Sequence, residues 1–450
     1  MRKGNGGTIA ALAAAGLLTG HVYAEDMPTN NLPTIVVTAS KAERSRGNVT
    51  QLVDPIARED IERIVAGNRN VAEAIAYQPG AAVSVLSRND ANWGSYGGLG
   101  PKYSTYMLGG LPIDAFVDTQ ALDLWAVDGI EVQRGPASVL YPNYLSQDFA
   151  GSQSPLAGTV NLLPRRVVSS PLTQAEFGYG SYNTLSTRLY HQNRVGDVSL
   201  FGGVSYEQSD YTDYGTSDSW LNMIDDPEYD KTKVYGGATI PFSEDGRHHV
   251  SIFGNQAFHE GDAGRPNRGF DHGYSMVNGT YSLPLGDAVT ASAGLGYRYY
   301  DRTWEDDNFS SGDLGLASES GVEQTIVPAD LALSIRHGRD DLLTVGMDFQ
   351  FADYETFSDP VAGPSSVGND AAASQLGVYV QEEQILGAWV LRAGGRYTHA
   401  GHDIDKLGGS PPGDDSESWD KLLWSAGVSR QTDLGFRPFA NVGTSFQVPA

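Results

Sequence analysis

The sequence has 450 residues, with 30 Lys plus Arg against 55 Asp plus Glu, and a formal net charge of -25. This acidic balance argues against a nucleic-acid partner, because phosphate binding needs a basic surface. Cysteine is absent, which excludes disulfides and thiolate–metal chemistry, and 40% hydrophobic residues are too few for a helical membrane protein but suit a β-barrel with a polar interior.

The first 24 residues have the pattern of a secretory signal peptide. Arg2 and Lys3 give a basic start, Thr8–Leu18 is a run of apolar and small residues, and Val22-Tyr23-Ala24 offers a cleavage site. The run is shorter than the roughly 20 apolar residues that a membrane-spanning helix needs. We therefore predict that residues 1–24 are a signal peptide that is cleaved on export. The alternative is a buried helix of the mature fold.

A short segment rich in β-branched residues lies within the polar stretch 25–45. It consists of Thr34, Ile35, Val36, Val37, Thr38 and Ala39. Such residues favour an extended strand, and a lone strand suits addition to the sheet of a partner protein. With the preceding Leu32-Pro33, it resembles the TonB box of TonB-dependent outer-membrane receptors. The resemblance implies that the inner-membrane energy-coupling protein TonB binds here; the alternative is an ordinary first strand of the next domain.

Residues 46–166 predict a compact α/β domain. A short helix starts at Asp60, and a second covers Asn70–Ile75, with Asn70 as N-cap and Glu73 at the capping-box position. Gln78-Pro79-Gly80 ends the second helix. Strands are predicted at Ala81–Leu86, Tyr106–Pro112, Ile130–Arg134 and Ala157–Leu163.

Four pieces of this domain occur in the order found in the plug domain of TonB-dependent receptors, which the region resembles. They are the helix that ends at Gln78-Pro79-Gly80, the turn Leu108–Pro112, the run Glu131–Tyr141 and the strand Ala157–Asn161. The chain departs from the family at Pro142–Leu156, where a short Gly-rich link is usual. This insertion is expected to alter the substrate-facing side of the plug or its seam with the barrel wall, and it puts any substrate class carried over from the family in doubt.

From residue 172 onward, apolar and polar residues alternate with period two, in about 13 segments of the length that barrel strands need. Short turns alternate with long polar loops, which are predicted at 209–230, 258–273, 301–322, 354–373 and 399–419. Short periplasmic turns and long extracellular loops are typical of outer-membrane barrels. We therefore predict an antiparallel membrane β-barrel over 172–450, with the α/β plug in its lumen. The resemblance implies a barrel of about 22 strands, so we expect this chain to be a fragment; the alternative is a truncated gene product.

Ligand-binding candidates come from the resemblance, because plug apices of related receptors face the ligand. Trp93, Tyr96 and Tyr103 lie in a Gly-rich stretch of the predicted plug, and aromatic rings can stack on planar or apolar ligand groups. The alternative is that these rings pack against the barrel wall.

The resemblance also implies a latch between plug and wall, because plug arginines of the family pair with carboxylates of the barrel wall. Arg134 follows an apolar strand, and Glu382 and Glu383 lie in a predicted barrel strand. A desolvated ion pair of this kind stabilises a protein only if hydrogen bonds satisfy both side chains. The alternative is an exposed Arg and a loop Glu.

No catalytic residues are predicted, because no nucleophile–base–acid set and no phosphate loop appears. We accordingly expect no enzyme activity and no cofactor. His248, His249, His259 and His272 lie in one hairpin region but lack paired spacing on a single element, so no metal site is predicted.

The resemblance implies a receptor in the outer membrane of a Gram-negative bacterium, in contact with lipid, that takes up a scarce small ligand with energy supplied through TonB. A ferric siderophore is the first expectation for the ligand, and cobalamin or another metal chelate is the alternative. A passive porin or adhesin is a competing class, against which a plug and a TonB box both argue. A barrel-embedded hydrolase is another, and it would need facing Asp/His pairs at the strand tops.

Overall fold

The computed structural model describes residues 36–37, 41–63, 70–85, 92–96, 98–146, 151–212, 223–224, 227–308, 314–434 and 436–449. The predicted signal peptide, residues 1–24, lies outside these ranges, as does most of the predicted TonB box. Within the described residues, no helix is both long enough and apolar enough to cross a membrane.

Nine strands make up the N-terminal α/β domain in the described part of the chain. In chain order they are β1 (Val36–Val37), β2 (Arg44–Ser45), β3 (Leu52–Ala57), β4 (Ala81–Val85), β5 (Asn92–Tyr96), β6 (Ser104–Leu108), β7 (Leu111–Ile113), β8 (Val127–Arg134) and β9 (Gly158–Pro164). One five-stranded sheet has the order β3-β8-β9-β6-β7, in which β6 and β9 run parallel and the other neighbours antiparallel. β1 pairs with β2, and β4 pairs with β5.

Short helices connect these strands. They are α1 (Arg58–Glu62), α2 (Val71–Ile75) and α3 (Asp118–Ala121), with 3-10 turns at Arg46–Asn48, Pro101–Tyr103 and Leu124–Ala126. The predicted capping box of α2 is confirmed: the Asn70 side chain accepts from the Glu73 amide at 3.0 Å, and the Glu73 carboxylate accepts from the Asn70 amide at 3.3 Å. Two amides that the helix cannot satisfy itself are thereby bonded. The first helix begins at Arg58 rather than at Asp60.

Thirteen antiparallel strands, each paired with the next in the chain, form a second sheet, which we call the wall. They are β10 (Leu172–Gly180), β11 (Thr184–Val195), β12 (Val198–Ser209), β13 (Tyr229–Pro241), β14 (His249–Asp262), β15 (Gly269–Pro284), β16 (Val289–Asp307), β17 (Leu316–His337), β18 (Asp341–Pro360), β19 (Ser366–Leu386), β20 (Trp389–Lys406), β21 (Ser416–Arg430) and β22 (Phe439–Gly443). The predicted number of barrel strands in this chain is confirmed. β10 and β22 are the two edges of the sheet.

The wall buries polar side chains and exposes apolar ones, which is the opposite of the distribution in a soluble protein. On β18 the polar side chains of Asp348 and Gln350 are 3% and 1% exposed, whereas Met347 and Phe349 are each 43% exposed. Because side chains alternate across a strand, one face carries polar groups inward and the other presents apolar groups outward. Hydrocarbon solvent requires such an outer face.

Of the five long polar loops predicted from the sequence, loop 209–230 agrees with the connection between β12, which ends at Ser209, and β13, which begins at Tyr229. The other four are wrong in extent. Of the predicted loop 301–322, residues 308–315 connect two strands and the rest belongs to β16 and β17; likewise, 361–365 is all that connects β18 to β19. These strands have 19 to 22 residues, about twice the 9–11 that cross a bilayer. Polar residues continue as paired strand beyond the membrane, because backbone pairing needs no apolar face where water contacts both sides.

We expect Val380→Arg to weaken the wall. Val380 is 46% exposed on the outward side of β19, and an arginine near the bilayer midplane costs about 2–4 kcal/mol. The free energy of unfolding in lipid vesicles, measured by urea titration, should fall by about this amount. Ser366→Arg is the control, because Ser366 begins β19 at the loop side, where the cost is about 0–1 kcal/mol. Equal losses at both positions would contradict a lipid-facing wall.

Candidate functional site

The described part of the predicted TonB box forms one side of a small hairpin. Val36 and Val37 constitute β1 and pair antiparallel with Arg44–Ser45, while the other four residues of the box lie outside the described ranges. Near the start of β2, Lys41 adopts a φ of 57°, in the left-handed region. In the described chain, β1 has β2 as its partner and is not a strand of the five-stranded sheet.

Lys41 fastens this hairpin to the wall. Its ammonium contacts the Asp330 carboxylate of β17, donates to the Tyr379 hydroxyl of β19 at 2.9 Å and lies 4.3 Å from the centroid of that ring. Burial by itself lowers the pKa of Lys41, but Asp330 and Tyr379 reverse this effect and hold the pKa above its ordinary value. Lys41 therefore remains charged and paired. This contact could not be predicted from the sequence, because Lys41 is 289 and 338 residues away from its two partners.

Arg44 makes a second tether from the same hairpin. Its Nε lies 3.8 Å from an Oε of Glu383, and its Nη1 donates to the carbonyl of Asp340 at 2.8 Å. Glu383 is 1% exposed and also accepts from Gln381 at 3.1 Å. Glu383, one of the two carboxylates predicted for the latch, thus lies beside Arg44, which precedes the predicted plug domain.

The other predicted latch residues have different neighbours. Arg134 Nη2 lies 2.6 Å from Asp54, which belongs to the adjacent strand of the same plug sheet. Glu382 lies 2.9 Å from His337 at the turn-side end of β17. A direct pairing of Arg134 with Glu382 or Glu383 stays a prediction.

The predicted ligand aromatics occupy two neighbouring elements of the plug. Trp93 and Tyr96 lie in β5, where their register partners are Ser84 and Ala81. Tyr103 ends the 3-10 turn that leads into β6, and the Lys102 ammonium lies 5.6 Å from the centroid of its ring. The role of these rings in ligand binding stays a prediction.

The insertion Pro142–Leu156 forms part of the plug–wall seam, one of the two outcomes expected from the sequence. Tyr144 and Gln153 pair across it. Tyr144 and Leu145 are fully buried and pack in one cluster with apolar side chains of β17 to β20. The Leu145 amide donates to Gln350 of the wall at 3.3 Å.

Two buried acids stabilise the loop of the plug that follows β7. Asp114 accepts from the amides of Phe116 and Val117 at 2.6 and 2.9 Å, and Asp118 accepts from the Asp114 amide at 2.8 Å. Burial raises the pKa of Asp114. Burial also raises the pKa of Asp118 to about 7, although the Arg298 guanidinium, 3.8 Å away on β16, opposes the shift.

The described residues contain no group of three or more His, Asp or Glu side chains that could hold a metal ion. The site is instead the seam between a plug with a tethered N-terminal hairpin and the polar inner face of the wall. Such an arrangement can bind a ligand on one side and respond to a pull on the other.

Two family models match this chain. The TonB-dependent receptor plug domain matches residues 45–144, and the TonB dependent receptor-like β-barrel matches residues 249–450. These matches confirm the family expected from the sequence.

Individual proteins are similar at lower identity. The vitamin B12 transporter BtuB of Vibrio vulnificus (strain CMCP6) is 21% identical over 98% of this chain and 68% of its own length, and the ferrichrome outer membrane transporter/phage receptor of Escherichia coli (strain K12) is 22% identical over 91% and 62%. The structure of the pyoverdine outer membrane receptor FpvA from Pseudomonas aeruginosa PAO1 matches with a TM-score of 0.68 at 14% identity, over 90% of this chain and 64% of that one. This structural likeness shows the fold, and the chain spans 62% to 68% of the length of these proteins.

Replacing Asp330 with Asn should release the β1–β2 hairpin. The substitution leaves the Lys41 ammonium buried without its carboxylate, and breaking a buried pair costs about 3–5 kcal/mol. Because the chain has no Cys, a spin label attached to Val36→Cys reports on β1 alone. We expect the EPR spectrum of the label to gain a mobile component in Asp330→Asn.

Two further variants control this experiment. Adding Lys41→Met to Asp330→Asn removes the stranded charge, so the double variant should regain part of the ordered signal. Asp353→Asn changes an exposed carboxylate on the neighbouring strand β18 and should have no effect. An unchanged spectrum in Asp330→Asn would show that Lys41 does not hold the hairpin.

The stability of the loop around Asp118 should depend on pH. The ordinary pKa of an aspartate is 3.8, and that of Asp118 in the fold is about 7. The fold therefore binds this proton more tightly than the unfolded chain does, so its stabilisation is complete below about pH 4 and is lost as the pH rises through about 7. Hydrogen-exchange protection of β7 and α3, corrected for the intrinsic pH dependence of exchange, should fall over that range. In Asp118→Asn this fall should become smaller, because Asp114 is then the remaining acid of this loop with a raised pKa, and an identical slope in both proteins would refute the assignment.

Proposed function

We propose an energised uptake function, on the premise that this chain belongs to the TonB-dependent receptor family. The family consists of outer-membrane receptors and transporters of Gram-negative bacteria rather than enzymes. In the proposal, residues 1–24 are removed on export. The whole protein then captures a scarce ligand at the cell surface and releases it to the periplasm when TonB pulls on Thr34–Ala39.

The tethered hairpin is the observation that carries this proposal. β1 consists of Val36 and Val37 of the predicted box, and the chain that follows is fixed to the wall through Lys41 and Arg44. A force applied to β1 acts first on these two charge contacts, because Lys41 and Arg44 follow β1 directly and precede the rest of the plug in the chain. A passive porin has no need of such an arrangement.

For the cargo, a ferric siderophore is our first proposal. A siderophore receptor of Acinetobacter baumannii and the pyoverdine outer membrane receptor of Pseudomonas aeruginosa share this fold, and the proposal extends their kind of ligand to this protein. The vitamin B12 transporter among the relatives keeps cobalamin, or another metal chelate, as the alternative. We propose that Trp93, Tyr96 and Tyr103 contact the ligand from the plug side.

A conductance measurement separates the receptor from the porin and adhesin class. The apolar core of the plug is continuous with the wall rings of Tyr190, Phe253 and Tyr300. We therefore expect the whole protein in planar bilayers to show no large constitutive current. A steady porin-like current would overturn the plugged-receptor proposal.

Deletion of residues 34–39 should abolish energised uptake while leaving surface binding intact. The deletion removes the strand that TonB would engage but leaves Lys41 and Arg44, which hold the plug hairpin to the wall. Energised uptake is measured with an iron-labelled siderophore in receptor-deficient cells that express the whole protein. Surface binding is measured with the same cells after they have been de-energised.

A deletion of equal length just upstream, residues 27–32, is the matched control. It shortens the same polar stretch without touching the predicted box, so both uptake and binding should persist. Uptake that survives the loss of residues 34–39 would refute the mechanism, whatever the ligand.

A further inference from the structure

The insertion Pro142–Leu156 lies in the connection between two adjacent strands of the plug sheet. β8 ends at Arg134 and β9 begins at Gly158, and the order of the sheet is β3-β8-β9-β6-β7. Within the insertion, the amides of Tyr144 and Gln153 each donate to the other residue's carbonyl at 2.9 Å. Because the family usually has a short link at this place, the role of the insertion must follow from its own contacts.

One side of the insertion is docked in an apolar recess of the wall. Tyr144 and Leu145 are fully buried and pack in one cluster with an apolar residue from each of four neighbouring wall strands, β17 to β20. We call these four residues the alcove: Ile326, Ala352, Ala373 and Ala400. Three of them are alanines, whose small side chains suit a recess that receives a tyrosine and a leucine. Displacing the insertion would expose this apolar surface to water, which is unfavourable in proportion to its area.

Two glutamines bind the backbone of the insertion. The side chain of Gln350 on β18 accepts from the amide of Leu145 at 3.3 Å and also donates to the carbonyl of Asn143. Gln447, which follows β22, donates to the carbonyl of Ser152 at 2.9 Å. Buried backbone groups are costly to leave without such partners. The insertion is therefore bound to the wall by hydrogen bonds as well as by packing.

The other side of the insertion is bonded to the plug from residue 102 onward. The amide of Ser154 donates to the carbonyl of Lys102 at 2.8 Å, just before the start of β6. The Gln153 side chain accepts from the amide of Ala115 at 3.0 Å and donates to Asp114 at 3.1 Å, in the loop after β7. The insertion therefore joins the plug strands β6 to β9 to the wall.

The plug before residue 102 is attached differently. β3 is an edge strand of the plug sheet and pairs with β8, whereas β4 and β5 pair with each other outside that sheet. The hairpin of β1 and β2 is held to the wall by Lys41 and Arg44. An edge strand and a separate hairpin can each leave without breaking the ladders between the remaining plug strands, and elements of this kind open locally before a central sheet does.

We propose that the insertion anchors the C-terminal part of the plug to the wall, so that a pull on the N-terminal hairpin withdraws residues 36–101 and stops at Lys102. The inference rests on the proposed function, because it states which part of the plug a pull by TonB would remove. It also separates the three rings that we propose contact the cargo. Trp93 and Tyr96 leave with β5, so the cargo loses these contacts, whereas Tyr103 stays with β6.

Force spectroscopy on the purified whole receptor in lipid bilayers tests this division. The 450 residues contain no Cys, so Val36→Cys introduces one attachment point for the pull. Extended chain spans about 3.3–3.6 Å per residue, so withdrawal of residues 36–101 should release roughly 220–240 Å before a stop at higher force. In the double variant Tyr144→Ala with Leu145→Ala, which removes the side chains that fill the alcove, the stop should be lost. Release should then continue through β9, to roughly twice that length.

Ile61→Ala is the matched control. Ile61 is 5% exposed in α1, within the part that should leave, and its truncation removes buried apolar contacts there as the double variant does in the alcove. It should lower the force of an early event and leave the position of the stop unchanged. The stop in the unaltered receptor is itself a test, so the proposal can be refuted even where the double variant fails to fold.

Continuous release through β9 in the unaltered receptor would overturn the proposal, as would a stop that does not lie at the start of β6 or one that persists in the double variant. The measurement needs neither TonB nor cargo. Failure of energised uptake would therefore count against the proposed function and leave the anchor standing, and absence of the stop would count against the anchor alone.

Discussion

Backbone hydrogen bonding governs the wall, because hydrocarbon offers no partner to an unpaired N–H or C=O group. Each wall strand pairs with the next in the chain, and the apolar side chains point outward. The polar half of every strand then faces the lumen, which must be filled by groups that can hydrogen-bond. The plug supplies such groups as backbone carbonyls: Lys233 donates to Leu122 at 2.9 Å, and Asn278 donates to Leu108 at 2.9 Å.

Charges buried by this arrangement are stable only in pairs, because a lone charge in the interior is far more costly than a matched one. Arg396 on β20 makes two hydrogen bonds of 2.6 Å to Asp348 on β18 and must cross β19 to do so. It crosses at Gly377, where a Cβ atom would collide with the guanidinium. Lys41 pairs with Asp330 for the same reason. The hairpin that contains Val36 and Val37 of the predicted box is therefore held by an ion pair of the kind that stabilises the wall.

Local features of the fold were predictable from sequence, and contacts between distant segments were not. The capping box at Asn70 depends on residues three apart, and the wall strands depend on an alternation that is visible along each segment. The strand ends were misplaced because polar hairpins beyond the membrane carry no apolar periodicity. The tethers of Lys41 and Arg44 depend on contacts with wall residues about 290 to 340 positions away in the chain, which one sequence does not display.

The seam between plug and wall differs in kind from either sheet. In the described chain, the strands of the five-stranded plug sheet pair with one another, and the thirteen wall strands pair with one another. No strand of one sheet pairs with a strand of the other. The seam is made of side-chain hydrogen bonds, charge pairs and apolar packing. A backbone ladder resists shear as a unit, whereas side-chain contacts of about 0.5–3 kcal/mol each can break in sequence. The plug can therefore yield to a pull on its N-terminal hairpin while the backbone ladders between neighbouring wall strands stay intact.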